Sequence, residues 1–301
     1  MGYYLIANFC SAFSNILAKF FVSNDVIQIP NVRIIDIMLH SNIISLFLLS
    51  MFYIFKKSRN EINFTFKETF IGRKEVLQIV LFAIPIVAAN YKIYLMGFMS
   101  ISGIEISAMI KPFCVWCLAV VLLHEGFEKS YLKYFVGISV GFMIANYDKI
   151  HVSHFWYLVS YIAIASCGDI TRRYFCRVKK DSFQAVCVEC VLFCLYGTVI
   201  LLFIRKSFSL KLLLSPYVFT ISCITFSHHF CMIYGVRKAA TIVSLEFLNF
   251  SKLIFTIILS CFILKDLPTT HKMCGALIIA VTLILFNKER RRIDALHGKK
   301  M

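Results

Sequence analysis

Acidic residues and glycine are both scarce in this chain. It has 16 Asp and Glu against 32 Lys and Arg, and only 12 glycines in 301 residues. So few glycines leave little material for a phosphate-cradling loop, and the chain also lacks the H-E-x-x-H zinc pattern. Its G-x-S-x-G match, "GISVG" at 137–141, lies inside a long apolar run and not at the strand-to-helix turn that a nucleophile elbow requires. Charged residues make up 16% of the sequence and hydrophobic residues 59%. That balance leaves no polar exterior for a water-soluble globule.

Long hydrophobic runs occupy most of the chain instead. A helix that crosses a membrane needs roughly 17 to 25 apolar residues. Ten such runs lie at about 3–22, 33–55, 75–95, 101–123, 131–147, 153–175, 184–204, 212–234, 239–264 and 270–287. We therefore predict an all-α integral membrane protein with ten transmembrane helices. No basic region precedes the first run and no small-residue cleavage pattern follows it, so we expect it to be a retained helix.

Basic residues predict how the helices are oriented, because Lys and Arg near helix ends tend to stay in the cytoplasm. With the N-terminus inside, 21 of the 32 basic residues fall in cytoplasmic segments and seven in the opposite loops. Both termini are therefore predicted to be cytoplasmic. The net charge of +16 could indicate nucleic acid, but the basic residues lie beside helix ends and no nucleic-acid-binding motif accompanies them. Attraction to lipid headgroups is the simpler interpretation, so the expected partner is the lipid bilayer and not nucleic acid.

An internal repeat divides the chain into two halves of five helices. Sliding the sequence on itself by 141 residues superposes three charged pairs, which are Glu105 on Glu246, Lys111 on Lys252 and Glu125 on Asp266. Farther upstream, "FSNILAKFF" resembles "CGDITRRYF", which superposes Asn15 on Asp169 and Lys19 on Arg173. We predict repeats at 1–148 and 149–288, followed by a basic cytoplasmic tail at 289–301. Because five is odd, the halves would be inverted in the membrane, as in many transporters.

The repeated Glu and Lys lie six residues apart in each half. Six residues turn a helix by about 600° and lift it roughly 9 Å, so neither pair can close within its own helix. An inverted axis could instead bring Glu246 toward Lys111 and Glu105 toward Lys252 across a central cavity. A charge at mid-bilayer costs about 2.5–3.5 kcal/mol, so these side chains should face the interior. They could bind substrate, or they could be structural salt bridges that clamp the halves together.

Further polar residues lie within the predicted helices. Asp169 is deep enough to meet a cationic substrate, and Trp116 is mid-helix, where it could stack on a ligand. Glu189 ranks lower, because it could belong to the polar face of the seventh predicted helix or lie close enough to an interface to be solvated. For His228 and His229 we favour polar packing between helices. The predicted substrate-binding residues are Glu105, Lys111, Glu246, Lys252, Asp169, Asn15 and Trp116.

Two C-x-x-C spacings occur among the twelve cysteines, at Cys114 with Cys117 and at Cys187 with Cys190. Each pair would share one face of a helix, and cysteine is common as a small apolar residue. All lie within predicted spans, away from external loops where disulfides form. We expect no metal, no cofactor and no disulfide.

The same segments resemble a known family. "KPFCVWCLAVVLLHE" with "GISVGFMIAN", and the echo "KDLPTTHKMCGALIIAVTLIL", resemble the fourth–fifth and ninth–tenth helices of the EamA-type drug/metabolite transporter superfamily. "YIAIASCGDITRRYF", "AATIVSLEF" and "LPTTHKMCGALIIAVTLILFNKERRR" are similar to S-adenosylmethionine carriers of rickettsia- and chlamydia-type intracellular bacteria. The resemblance implies a multi-pass carrier in the bacterial inner membrane that exchanges S-adenosylmethionine for S-adenosylhomocysteine.

We therefore expect a secondary transporter of a cationic or zwitterionic small molecule, and not an enzyme. An exporter of amino acids or other metabolites from the same superfamily is the alternative. An intramembrane enzyme that uses Asp169 and the histidines, and a channel or purely structural protein, stay open as more distant interpretations.

Overall fold

The computed structural model describes residues 2–24, 26–27, 32–62, 64, 80, 83–84, 86–88, 91, 101–125, 129–145, 155–178, 182–239 and 241–298. Within them the regular elements are helices, and no strand occurs. The helices are α1 Gly2–Ser23, α2 Ile34–Ser58, α3 Ile101–Leu122, α4 Leu132–Ala145, α5 Phe155–Val178, α6 Ser182–Val199, α7 Leu210–Leu213, α8 Pro216–Lys238, α9 Ile242–Asn249, α10 Ser251–Leu259 and α11 Thr270–Gly298. A 3₁₀ turn, Lys129–Tyr131, precedes α4, and π-helical turns follow α6 at Ile200–Arg205 and α10 at Ser260–Leu264.

Six helical stretches in the described part of the chain are long and apolar enough to cross a membrane. They are Gly2–Ser23, Ile34–Ser58, Ser182–Phe203, Pro216–Lys238, Ser244–Leu264 and Thr270–Arg292. These coincide with the first, second and last four predicted runs, so the all-α membrane class is confirmed. Helices α3, α4 and α5 lie where the fourth, fifth and sixth runs are predicted. Most of the third run, 75–95, lies outside the described residues.

Large apolar side chains lie on the surface of the protein, and several charged side chains are buried in its interior. Exposed fractions exceed 60% for residues on several long helices, among them Phe47, Ile54, Val121, Leu277 and Ile284. Almost fully buried, in contrast, are Asp36, Glu189, His229 and Glu246. Apolar groups facing outward and charges facing inward suit a protein whose surroundings are hydrocarbon.

Helix packing places α1 near the middle of the bundle. It contacts α8 along its length and α10 on another side, while α2 packs on α6 and α8. Helix α3 packs on α5 and on α9, and α4 packs on α11. One apolar cluster joins α6 and α8 to the ends of α1, α2 and α5, and a second joins α3, α4, α9 and α11. The polar residues described below lie mainly on α1, α3, α5, α6, α8 and α9.

The contact between α4 and α11 depends on two glycines. A Cβ atom added to Gly275 would meet the carbonyl oxygen of Gly141 and lie 2.5 Å from the backbone nitrogen of Ala145. A Cβ atom added to Gly141 would lie 3.0 Å from the carbonyl oxygen of Gly275. The two backbones therefore touch directly, as at small-residue helix contacts in membranes.

Two helices show features that the hydrophobic runs do not predict. The ninth run, 239–264, contains the membrane-length stretch Ser244–Leu264, which is interrupted by a turn at Phe250, between the end of α9 at Asn249 and the start of α10 at Ser251. Asn8 of α1 donates a hydrogen bond of 2.8 Å to the carbonyl of Leu248 and thereby satisfies a backbone group at the break. The predicted tail after residue 288 is helical as far as Gly298, because its Lys, Glu, Arg, Ala and Leu residues favour helix and no proline interrupts them.

Candidate functional site

Lys111 of α3 lies between two carboxylates from other helices. Its Nζ atom is 2.5 Å from Oδ2 of Asp169 on α5 and 3.4 Å from Oε2 of Glu246 on α9. The three side chains are 17%, 15% and 3% exposed, respectively. The predicted approach of Glu246 to Lys111 is therefore present in the structure, and Asp169 joins them.

Local sequence explains how α9 presents its glutamate. Thr241 caps the helix, since its side-chain oxygen accepts a hydrogen bond of 3.3 Å from the backbone nitrogen of Ser244. Glu246 follows in the second turn, where Asn249 of the next turn donates a hydrogen bond of 3.1 Å to its Oε2. Tyr4 of α1 in turn donates a bond of 2.9 Å to the Asn249 side-chain oxygen. The orientation of Glu246 is thus fixed by a hydrogen-bonded chain that reaches the start of α1.

The charges continue from Asp169 into α6 and α8. Arg172, one turn after Asp169 on α5, lies 3.3 Å from its Oδ1 and 3.8 Å from Oε1 of Glu189 on α6. His229 of α8 contacts the same Glu189 oxygen at 3.0 Å through Nδ1. Five helices thereby share one connected set of charged and titratable side chains. We call the set the charged network, and it comprises Lys111, Asp169, Arg172, Glu189, His229 and Glu246.

Several atoms of the charged network are buried with no hydrogen-bond partner among the described residues. They are Nε of Arg172, Oε2 of Glu189 and Nε2 of His229. A buried polar atom without a partner is costly in hydrocarbon surroundings, where few bonds can be made. These three atoms are therefore where the charged network would gain most from a further hydrogen bond.

The second predicted lysine has a different environment. Lys252 donates a hydrogen bond of 2.7 Å to the Ser11 hydroxyl of α1. Asn15 is half-buried one turn later on the same face of α1 as Ser11. Glu105 lies in α3, but its side chain is outside what the structure describes, so its approach to Lys252 stays a prediction.

Trp116 lies in an apolar part of the bundle. It is 2% exposed and lies in the apolar cluster of α3, α4, α9 and α11, close to Ile170 and Phe247. The structure therefore surrounds it with protein side chains, and its stacking on a ligand stays a prediction.

Two ion pairs occupy corresponding positions in the two sequence halves. Glu125, just after α3, lies 3.6 Å from Nε of Arg173 on α5. Lys19 on α1 lies 3.4 Å from Asp266, just after the π-helical turn that follows α10. The internal alignment superposes Glu125 on Asp266 and Arg173 on Lys19. Each half thus supplies the acid of one pair and the base of the other.

The backbone at these two acids is also alike. His124 and Lys265, which immediately precede them, have positive φ values of 52° and 56°. The amide of Glu125 donates to the carbonyl of Ala119 at 3.1 Å, and the amide of Asp266 donates to the carbonyl of Ser260 at 3.3 Å. Both helices therefore end in a left-handed cap of the same hydrogen-bonding pattern. Corresponding residues are again 141 positions apart.

Sequence reasoning ranks one residue of the charged network too low. Glu189 is not solvated near an interface, since only 1% of it is exposed and it pairs with Arg172 and His229. Its signal in the sequence is a lone carboxylate within the otherwise apolar α6. The sequence presents Arg172 only as a basic residue near a helix end, although it bridges Asp169 and Glu189.

Comparison with known proteins identifies the fold but no family. No protein-family model matches the chain, and no curated protein matches it. Among solved structures 27 chains match. One of them, a crystal structure of a protein, aligns with a TM-score of 0.64 at 11% identity over 95% of this chain and 98% of its own. At that identity the likeness concerns the fold alone, which extends over nearly the full length of both chains.

Proposed function

We propose that this protein is a secondary transporter of a small cationic or zwitterionic metabolite. The observation that carries the proposal is the partly buried Lys111, held between the carboxylates of Asp169 and Glu246 inside a membrane protein. Ionisable groups at membrane depth are costly, and they commonly line the path of an ion or substrate.

Lys111, Asp169 and Glu246 can exchange the ammonium group of Lys111 for a cationic group of the substrate. An ammonium or sulfonium group of the substrate can take the place of the Lys111 ammonium beside Asp169 and Glu246. The released Lys111 can then pair with a carboxylate of the same substrate. A zwitterion supplies both groups, so the two carboxylates and the Lys111 ammonium each have an opposite charge beside them while the substrate is bound.

Alternating access is the transport mode that we propose, with ten helices in two inverted halves. Three features support this arrangement: the matched ion pairs, the matched helix caps, and helix packing in which α3 with α5 corresponds to α10 with α1. A pseudo-two-fold axis relating the halves would produce each of these pairs. The sequence has no ATP-binding motif, so a gradient or an exchange reaction supplies the driving force.

S-adenosylmethionine, exchanged for S-adenosylhomocysteine, is the substrate that we propose. It carries an ammonium, a sulfonium and a carboxylate, and the sequence resembles carriers of this metabolite. An exporter of amino acids or other metabolites would use the same ammonium and carboxylate contacts and is the alternative. A bacterial inner membrane, with both termini in the cytoplasm, is the location that we propose.

Exchange in proteoliposomes tests this function. Vesicles loaded with S-adenosylhomocysteine should take up labelled S-adenosylmethionine with saturation, and Glu246→Gln should lower that uptake by roughly tenfold or more at unchanged folded yield. Lys211→Gln is the matched control, because Lys211 is exposed on the short α7. No saturable uptake of S-adenosylmethionine or of any labelled amino acid would rule out both proposed substrate classes. Loss of folded protein in Glu246→Gln would favour the structural clamp.

A further inference from the structure

The two matched ion pairs lie at opposite ends of the bundle. Arg173 donates hydrogen bonds to the carbonyls of Val236 and Ala239, at the end of α8. The end of α8 lies beside the start of α1, where the rings of Tyr234 and Tyr3 are 5.9 Å apart. Lys19 is sixteen residues after Tyr3 on α1, a rise of about 24 Å along a helix. We call Glu125 with Arg173 the buried pair, and Lys19 with Asp266 the exposed pair.

Their environments differ although their positions correspond. The side chains of the buried pair are 4% and 5% exposed, and those of the exposed pair are 47% and 61% exposed. The exposed pair lines an open cavity of about 410 Å³ between the end of α1 and the turn after α10.

Additional hydrogen bonds join the buried pair to two further helices. Oε2 of Glu125 accepts a bond of 2.8 Å from the backbone nitrogen of Ile242, at the start of α9. The Nη2 atom of Arg173 donates a bond of 2.6 Å to the carbonyl of Ala239, at the end of α8. The buried pair therefore links α3, α5, α8 and α9 into one closed end. For the exposed pair, the described residues show only the single contact between Lys19 and Asp266.

We propose that the two ion pairs are alternating latches, and that this structure is closed at the buried pair and open at the exposed pair. In the opposite state the exposed pair would become covered, while Arg173 would release the end of α8 and Glu125 would release the start of α9. The inference rests on the proposed transport function, since alternating access requires that only one end be open at a time. Its physical basis is that two copies of one local structure occupy unlike environments, so an alternative state in which those environments are exchanged uses the same kinds of contact at the other end.

Hydrogen–deuterium exchange on the full-length protein in detergent tests the latches without any substrate. Glu125→Gln keeps an acceptor for the Ile242 amide but removes the charge that holds Arg173. We expect roughly tenfold faster exchange in peptides that cover 119–125 and 236–242, together with slower exchange in peptides that cover 19–24 and 260–266. Glu61→Gln, at a half-exposed ion pair with Lys56 outside both latches, is the matched control and should leave exchange at both pairs unchanged.

A second variant tests the proposal if Glu125→Gln does not fold. Ile242→Pro removes the backbone N–H group from which Glu125 accepts a hydrogen bond. Residue 242 is the first position of α9, where proline is tolerated. Thr241, the preceding residue, has the extended backbone that a following proline requires, with φ −130° and ψ 151°. The same reciprocal change in exchange is expected.

The test depends on whether hydrogen exchange changes in opposite directions at the two pairs. Faster exchange at the buried pair with no slowing at the exposed pair, or no change at either, overturns the latches even if the protein transports. Reciprocal exchange in a protein that moves neither S-adenosylmethionine nor amino acids would support the latches and reject the substrates.

Discussion

Among individual residues, the charged network contains more acids than permanent cations. Asp169, Glu189 and Glu246 are balanced only by Lys111 and Arg172, so one further positive charge would make the set neutral. The cationic group of a substrate would supply that charge. This imbalance favours a cation over an anion as the group that enters the network.

A mutant cycle on Lys111 and Glu246 tests whether they are coupled. Lys111→Met should be strongly destabilising, because it leaves two neighbouring buried carboxylates without their shared cation, a change that costs about 3–5 kcal/mol for a buried pair. The double mutant Lys111→Met with Glu246→Gln should be more stable than the sum of the single effects predicts, by about 0.5–3 kcal/mol. Thermal unfolding in detergent measures each variant.

Lys19→Met, at the exposed pair, is the control and should lower stability by only about 0–1 kcal/mol. Strict additivity in the Lys111 and Glu246 cycle would mean that the two side chains do not stabilise each other.

Glu189 provides a second test at this scale. Glu189→Gln removes the carboxylate that both Arg172 and His229 contact, so it should destabilise the protein by about 3 kcal/mol or more. Glu61→Gln is the comparison, because Glu61 makes only a half-exposed ion pair with Lys56. Equal melting temperatures for the two variants would show that the Glu189 contacts contribute no more than a surface pair.

Part of the charged network could be predicted from sequence. The contact between Lys111 and Glu246 follows from the repeat and its inversion, because those two residues recur at a fixed spacing. Glu189 could not be ranked correctly, since its partners lie on α5 and α8 and no local spacing relates them. Lys252 pairs with a serine hydroxyl, which no charge pattern reveals.

Among elements, α4 and α11 pack so closely at Gly141 and Gly275 that a larger side chain at Gly275 would collide with the other helix. Gly275→Ala should destabilise the protein by about 1–3 kcal/mol or more, since its Cβ would meet backbone atoms of Gly141 and Ala145, which cannot rotate away. Gly197→Ala is the matched control, because a Cβ there would lie 3.5 Å from the nearest atom, the carbonyl oxygen of Leu39. Equal decreases in the melting temperatures of the two variants would contradict the close contact between α4 and α11.

Helix positions follow from hydrophobic runs, and helix ends do not. An apolar run shows how long a segment can stay in hydrocarbon, but it carries no information about a break such as Phe250. That break is stabilised by Asn8, a residue 240 positions away in the sequence from the carbonyl it satisfies. The extension of α11 to Gly298 has the opposite cause, because hydropathy falls after residue 288 while the residues there still favour helix.

For the whole molecule, the distribution of basic residues predicts the topology. A reporter fused after Met301 and one inserted between residues 56 and 74 should both be cytoplasmic, because basic residues cluster at both places. Accessibility of each reporter to a membrane-impermeant reagent measures this. A reporter at either place on the external side would contradict the ten-helix count. A reporter at 206–211, expected outside, is the control.

The contacts of Asn8 have a consequence for how the chain is made. Its hydrogen-bond acceptor, the carbonyl of Leu248, is 240 residues downstream. At about 5–20 residues per second, the ribosome needs roughly 12–48 s to supply it. Throughout that interval four polar side chains of α1 lack the partners that they contact in the finished protein. They are Tyr4, Asn8, Ser11 and Lys19. The insertion machinery, or other nascent helices, must shelter this polar face until the last fifth of the chain has been synthesised.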